Sequence, residues 1–299
     1  MTGWRGADSS SPDLRLHRQP GDDWVQCGCG QQHWGLFGAA GLLVWREGDN
    51  GRQVVLQQRA DWTHHGGTWG IPGGALTGGE SAVAGAVREA VEEAGLVTSA
   101  VRVRADRRLE HPDWSYTTAV AEAVAAWQPS VTDPESHQLR WIDLSTAEDY
   151  PLLPAFAASL PELRTMLRRL VVIVDAANVV GSRPDGWWRD RRGATVSLRD
   201  HLAGPIRGGL PADALDLPGA TWYPDIVLVV EGAARGIEAV DGVQVISAEG
   251  SGDDAIVAAV AARADIPDTV LRVATADREL GSRVAALGAE TISPRLLRH

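Results

Sequence analysis

The sequence predicts two α/β domains in one chain: an α/β/α sandwich on a mixed sheet, then a domain on a parallel sheet covered on both faces. Three observations carry this. The 299 residues are long for a single core and suit two domains of ordinary size. The first half mixes period-two and continuous apolar runs with one short helix rich in alanine and acids. In the second half, strongly apolar runs that end in acids alternate with helices, the pattern of a buried parallel sheet.

Taken in order, residues 1–23 read as a loose tail of Ser, Asp, Gly and Pro. Strands are expected at Gly38–Trp45, Val54–Gln58, Thr117–Ala126 and Arg140–Asp143. A helix is expected from about Ser81 to Glu93. Prolines 151, 154 and 161 close this half, with a short helix leading into Arg168. The first domain is therefore placed at 24–165 and the second at 168–299. There, Leu170–Val174 ends in Asp175 and Ile226–Val230 ends in Glu231. Val243–Ile246 precedes Asp253 and Asp254 and a helix over Ala255–Arg263; Val270–Ala274 runs toward Asp277 and a helix over Glu279–Leu287. Ligands of such sheets bind at the carboxyl ends of the strands, where these acids fall.

Composition narrows the function. Hydrophobic residues make up 44% and charged residues 22%, as in globular domains. No apolar run approaches the roughly 18–20 residues that span a bilayer, and the N-terminus has no signal-peptide apolar core. A cytoplasmic protein without a membrane partner is expected. Cys27 and Cys29 are the only cysteines, too close for an ordinary disulfide. All 28 basic side chains are arginine, and the net charge of −11 argues against a surface that coats nucleic acid.

The most informative stretch is Gly74 to Leu96. Behind a glycine turn it places Glu80, then Arg88, Glu89, Glu92, Glu93 and Gly95. On a helix, Glu89, Glu92 and Glu93 stand at i, i+3 and i+4 and share one face. Like charges so placed repel unless a cation sits among them, and an all-oxygen set suits Mg²⁺ shared with substrate phosphates. The stretch resembles the Nudix box, G-x5-E-x7-R-E-U-x-E-E-x-G-U, at nine restricted positions over 23 residues, with Ala90 and Leu96 in the apolar slots.

That resemblance implies a mixed-sheet sandwich that hydrolyses a nucleoside diphosphate linked to some moiety X, using Mg²⁺ or Mn²⁺. Glu89, Glu92 and Glu93 become the principal metal ligands, supported by Glu80 and the Gly73 carbonyl. Arg88 orients a box carboxylate. The family often carries a further acid near Glu135-Ser-His-Gln138, where this chain has Gln138, which takes up neither a proton nor Mg²⁺ well. The catalytic base then falls to a box glutamate, Glu110 or Glu135. Trp62 or Trp69, in the segment before the box, stacks on a base or belongs to the core. Cys27, Cys29 and His33 offer three zinc ligands where a structural site needs four; His17, His64 or His65 would complete it. A plain hairpin is the favoured reading.

The second half resembles the NYN branch of PIN-like nuclease domains at Val174-Asp175-Ala-Ala-Asn178, Gly252-Asp253-Asp254 and Thr275-Ala-Asp277-Arg278. The resemblance implies Mg²⁺ or Mn²⁺ held by Asp175, Glu231, Asp253, Asp254 and Asp277, with Asn178 fixing a carboxylate or phosphate. Arg189, Arg191, Arg192, Arg199 and Arg207, with Trp187 and Trp188, form a basic and aromatic cluster that suits RNA. The competing readings are an inactive domain with solvated strand-end acids, and a nucleotide-sensing first domain that regulates the nuclease.

Overall fold

The computed structural model describes residues 20–182 and 187–297, so the tail expected at 1–23 lies mostly outside the described residues. The first part of the chain carries strands β1 (Trp24–Gln26), β2 (Gln32–Trp34), β3 (Ala39–Gly48), β4 (Gly51–Arg59), β5 (Trp69–Gly70) and β6 (Gly73–Ala75), helix α1 (Ala82–Ala94), strands β7 (Val101–His111), β8 (Trp114–Ala123) and β9 (Ser136–Asp143), and helix α2 (Pro154–Met166). Then come β10 (Arg169–Asp175), α3 (Ala176–Gly181), α4 (Arg191–Ala203), β11 (Leu210–Pro211), β12 (Thr221–Trp222), β13 (Asp225–Val230), β14 (Val243–Ser247), α5 (Gly252–Ala264), β15 (Thr269–Ala274), α6 (Arg278–Ala285) and β16 (Glu290–Ile292). Two compact units result. The first holds residues 1–101, 109–118 and 123–158; the second holds 102–108, 119–122 and 159–299.

In the first unit, β4 pairs antiparallel with β3, β5 and β9, and β6 lies antiparallel on β3 with Gly41 opposite Gly73. Ser81 caps α1 by accepting from the Ala84 N–H, and Gly95 ends it at φ 61°, a left-handed conformation natural to glycine. Ala86, Ala90 and Ala94 form the buried face of α1. Their small side chains let the helix lie close to β3 and β6. Glu93 occupies the same face, one turn from Ala90, and is only 7% exposed. An acid thus stands at a core position.

The structure corrects the strand assignment in two places. The long strand β7 is not among the expected strands, and its Val-Arg-Val-Arg-Ala-Asp-Arg-Arg run alternates apolar residues with charges. Arg104 is nevertheless only 4% exposed. And β8 stops at Ala123, since the N–H groups of Val124 and Ala125 turn to the Ala100 carbonyl.

The second unit contains a five-stranded, wholly parallel sheet in the order β14-β13-β10-β15-β16. Its first strand, β10, lies at the centre, so the chain reverses direction of winding between β10 and β15. One face packs Val171, Ile173, Val227, Val229, Leu271 and Val273 against Ile256 and Val260 of α5 and Leu280 and Val284 of α6. Val172, Val174 and Leu228 on the alternate positions are equally buried. Both faces are covered, which accounts for runs apolar at every position.

Within this unit Glu122 is held by Arg104, at 2.6 Å, and by Arg169; Arg104 also reaches Asp225 at 3.0 Å. Burial pushes the Glu122 carboxyl up, but the two guanidiniums more than offset this and hold it below the usual range. Removing Glu122 takes from the buried Arg104 guanidinium its closest carboxylate and leaves it only the more exposed Asp225, at a cost of about 3–5 kcal/mol. Glu122→Ala is expected to lose that much in urea unfolding. Because the Glu122 pKa is depressed on folding, its contribution is present above the ordinary carboxylate range and lost as pH falls through the folded value. The stability difference between wild type and variant should therefore shrink in acid. An equal difference at pH 7 and pH 3 would refute the assignment.

Candidate active site

The first site forms where β6 meets α1. Gly74 sits in the edge pairing with Ala40, and a Cβ there would stand 2.7 Å from the Glu89 carboxylate. Glycine is needed so that this carboxylate can lie against the strand. Glu93 accepts from the Gly73 N–H at 2.9 Å. Arg88 gathers the remaining acids: it donates to Glu80 at 3.0 Å, Glu89 at 2.8 Å and Glu92 at 3.1 Å, and to the Ala75 carbonyl at 3.0 Å.

Arg88 therefore meets three of the four carboxyl groups, Glu93 feels only the more distant Arg59, and the electrostatics record the imbalance. Burial, offset only in part by Arg88, pushes Glu89 up to about 7; Glu92 and Asp22 push in the same direction. Glu93 is pushed well above the ordinary carboxylate range by complete burial and by Glu89, with Glu135 adding to it. For Glu80 burial also acts upward, but hydrogen bonds from Arg88 and Thr77 prevail and hold it low. Oxygen ligands, partial burial and surplus negative charge are what a hard divalent cation requires, so the donor set fits Mg²⁺ or Mn²⁺.

The other acids and aromatics of this unit separate. Glu135 is near enough to act on Glu93 electrostatically, whereas Glu110 is exposed on β7. Gln138 is engaged with Gln58 at 2.6 Å. Trp62 is 46% exposed, but Trp69 is only 3% exposed and packs edge-on against Tyr150 beneath Arg140. Trp69 therefore has no free face for a base, and its expected stacking role is corrected to a core role.

In the second unit the expected acids come to the carboxyl edge of the parallel sheet. Asp175 ends β10, Glu231 follows β13, Asp253 opens α5 and Asp277 follows β15. Asp175 is pushed up by burial, with Asp253 and Glu231 contributing. Asp253 is pushed up by desolvation, then by Asp277 and Glu231. Several of these carboxylates already have work in the fold. Asp175 accepts from the Asn178 N–H and the Thr275 hydroxyl at 3.0 Å each. Asp277 caps α6, and Glu231 accepts from the Gly252 N–H at 2.8 Å. Asn178 accepts from the Ala276 N–H at 3.0 Å. Asp254 differs: it pairs with Arg283 at 2.5 Å.

The basic cluster is corrected in part. Arg192 spends its guanidinium on the Arg235 and Gly236 carbonyls, and Arg199 spends its own on Asp200 and the Glu238 carbonyl. Both anchor loops. Arg189 and Trp188 are exposed, as is Arg191 at the start of α4. The side chains of Trp187 and Arg207 lie outside the described residues.

The mixed sheet and the acid cluster on α1 mark the class of the first unit, which comparison with known proteins identifies. The model of the NUDIX domain matches residues 36–163. A Mycobacterium tuberculosis protein with the provisional name 8-oxo-dGTP diphosphatase 3 is 44% identical over 155 residues, half of this chain and 71% of that protein. A nucleoside triphosphate pyrophosphatase/Nudix hydrolase fusion protein of Bifidobacterium longum is 41% identical over 166 residues, 52% of this chain but only 34% of that longer protein. Among solved structures, the Nudix hydrolase RenU of M. smegmatis is 40% identical, covering 48% of this chain and 93% of its own, with a TM-score of 0.45. The chain belongs to the Nudix family.

The raised pKa of Glu89 and Glu93 has a measurable consequence. A carboxyl whose pKa is raised on folding contributes stability that is complete below the ordinary value near 4.5 and is lost as pH rises through the folded value, about 7 for Glu89. Glu93→Gln keeps an acceptor for the Gly73 N–H and removes a charge. In metal-free solution at pH 8 it should melt about 2 °C or more above wild type, and the difference should vanish near pH 4. A variant that melts lower at pH 8 would show that Glu93 is not a strained acid.

Proposed function

We propose that the first unit hydrolyses a nucleoside diphosphate linked to X, an NTP or nucleotide sugar among the candidates, with Glu89, Glu92 and Glu93 as the principal ligands of Mg²⁺ or Mn²⁺. Glu80 and the Gly73 carbonyl support them. The observation that carries this reading is the surplus of half-buried and buried carboxyl groups over the guanidiniums near them, Arg88 in contact and Arg59 acting on Glu93 through space. A bound divalent ion supplies neutralisation of the diphosphate and a water of lowered pKa. The chain's own part is to hold the acids in register: Arg88 orients Glu80, Glu89 and Glu92, and the Gly73 N–H fixes Glu93. Water then attacks one phosphorus, the bridging P–O bond breaks, and a nucleoside monophosphate leaves with the phosphorylated remainder. Outside the box, Glu135 is favoured over Glu110 as the group that accepts the water's proton, because its charge reaches Glu93.

For the second unit the finer reading is a metal-dependent ribonuclease related to the NYN/PIN type. Support comes from the strand order, which places Asp175 and Asp277 either side of the point where winding reverses, the usual ligand position in open α/β sheets. Asp253 and Glu231 complete the group, while Asp254 and Arg192 are assigned to the fold. An intact box argues against a pure sensor, since losing one metal carboxylate is the simplest way to end catalysis.

Glu92→Gln and Glu93→Gln should each lower turnover by roughly 10²-fold or more, by removing charge neutralisation as well as a ligand. The assay is Mg²⁺-dependent release of nucleoside monophosphate from a nucleotide panel, headed by 8-oxo-dGTP because the mycobacterial relative's name points there. Unchanged turnover in both variants would end the assignment. For the second unit, Asp175→Asn should abolish Mn²⁺-dependent cleavage of single-stranded RNA by the full chain while leaving nucleotide hydrolysis intact. Cleavage that persists would end the nuclease reading alone.

A further inference from the structure

Outside the carboxylate site, the β1–β2 hairpin gathers a different class of ligand. Its loop is closed by the Cys27 N–H on the Gln31 carbonyl at 3.0 Å and the Gly30 N–H on the Cys27 carbonyl at 2.9 Å. The result brings one ligand atom each of Cys27, Cys29 and His33 within 4.8 Å of one another. Cys29 Sγ lies 3.2 Å from His33 Nε2. Bond lengths of about 2.3 Å to sulfur and 2.0 Å to nitrogen place tetrahedral zinc ligands roughly 3.3–3.8 Å apart. The hairpin needs a contraction of about an ångström at most to meet that geometry. Among the described residues, no other His, Cys, Asp or Glu group is so closely gathered.

The surroundings hold these side chains in place. His33 stacks on Trp114 with centroids 4.4 Å apart and planes 10° from parallel, and its other neighbour is His111 at 4.3 Å. The loop is tied to the turn after β7 by the Gly28 N–H, which donates to Asp113 at 2.7 Å. Cys27 is buried. Backbone N–H groups of Cys29 and Asp113 point at its sulfur. His64 and His65 belong elsewhere: they contact each other, and His64 contacts Trp24. The expected fourth ligand from that pair is thereby corrected, and His17 lies outside the described residues.

We propose that Cys27, Cys29 and His33 form a binding site for a thiolate-preferring divalent cation of the zinc class, with water or His111 at the fourth corner. Two thiolates and an imidazole favour Zn²⁺ and disfavour Mg²⁺. This site is therefore chemically separate from the all-oxygen site on α1. The bound ion closes the hairpin loop, which the Gly28 N–H already ties to Asp113.

The test uses the full chain, stripped of metal and titrated with Co²⁺. Expected are stoichiometric binding, a sulfur-to-cobalt charge-transfer band and tetrahedral d–d bands, all bleached by Zn²⁺ and untouched by excess Mg²⁺. Cys29 is exposed, so Cys29→Ser should fold normally. It should diminish the charge-transfer band and weaken Zn²⁺ retention by about 10- to 100-fold or more, since a direct ligand counts for at least as much as an outer partner. His33→Gln should weaken Zn²⁺ retention by a similar factor while leaving the charge-transfer band in place. Mg²⁺-dependent nucleotide hydrolysis should survive in Cys29→Ser, which keeps this result independent of the active-site assignment. No charge-transfer band, or Zn²⁺ retention equal in wild type and both variants, would overturn the proposal, the latter identifying the metal as adventitious.

Discussion

The structure of the first unit depends on one unfavourable arrangement: carboxyl groups crowded beside a glycine strand, with one guanidinium, Arg88, in contact with them and Arg59 acting only at longer range. Glu93 lies on the apolar face of α1 with Ala86, Ala90 and Ala94, and Glu89 presses against Gly74. Burying an ionised carboxylate without a partner is costly enough that the group neutralises instead. The alanines and glycines around it follow from that constraint, because helix and strand must approach closely enough to hold the acids without water. Arg88, reaching three carboxylates and the Ala75 carbonyl, keeps the cluster assembled.

Much of this was legible in the sequence because it is local. A capped helix, its Ala and Glu spacing and the glycines before it all lie within a few turns, and α1 falls at Ala82–Ala94 against an expectation of Ser81 to Glu93. The apolar strands of the second unit are equally direct, since a strand buried on both faces has no polar position to confuse the pattern. What the sequence concealed was long-range. Strand β7 looks solvated until Glu122 and Asp225, distant in the chain, are seen to bury Arg104. Trp69 leaves platform and core both open until Tyr150 covers it, and Arg192 reads as a nucleic-acid grip until its carbonyl partners appear.

The two units use carboxylates differently. On α1 the acids outnumber their partners, and the surplus is what a divalent ion would take up. At the edge of the parallel sheet, Asp175, Glu231 and Asp277 already accept hydrogen bonds that cap helices and join loops. Asp253 is left facing their combined charge. Helix capping and metal binding both put acids at the ends of parallel strands, so position alone does not separate the two roles. Burial and the neighbouring acids together raise the pKa of Asp253 and Asp175.

The central claim is that buried, partly protonated carboxyls form the Mg²⁺ site of the first unit. Its most direct test is the proton balance of Mg²⁺ binding, measured calorimetrically near pH 6.5 in buffers of different ionisation enthalpy. The account predicts proton release, so the observed binding heat should vary with the buffer, and the variation should fade at pH 9 as Glu89 ionises beforehand. A binding heat independent of the buffer at both pH values would contradict it.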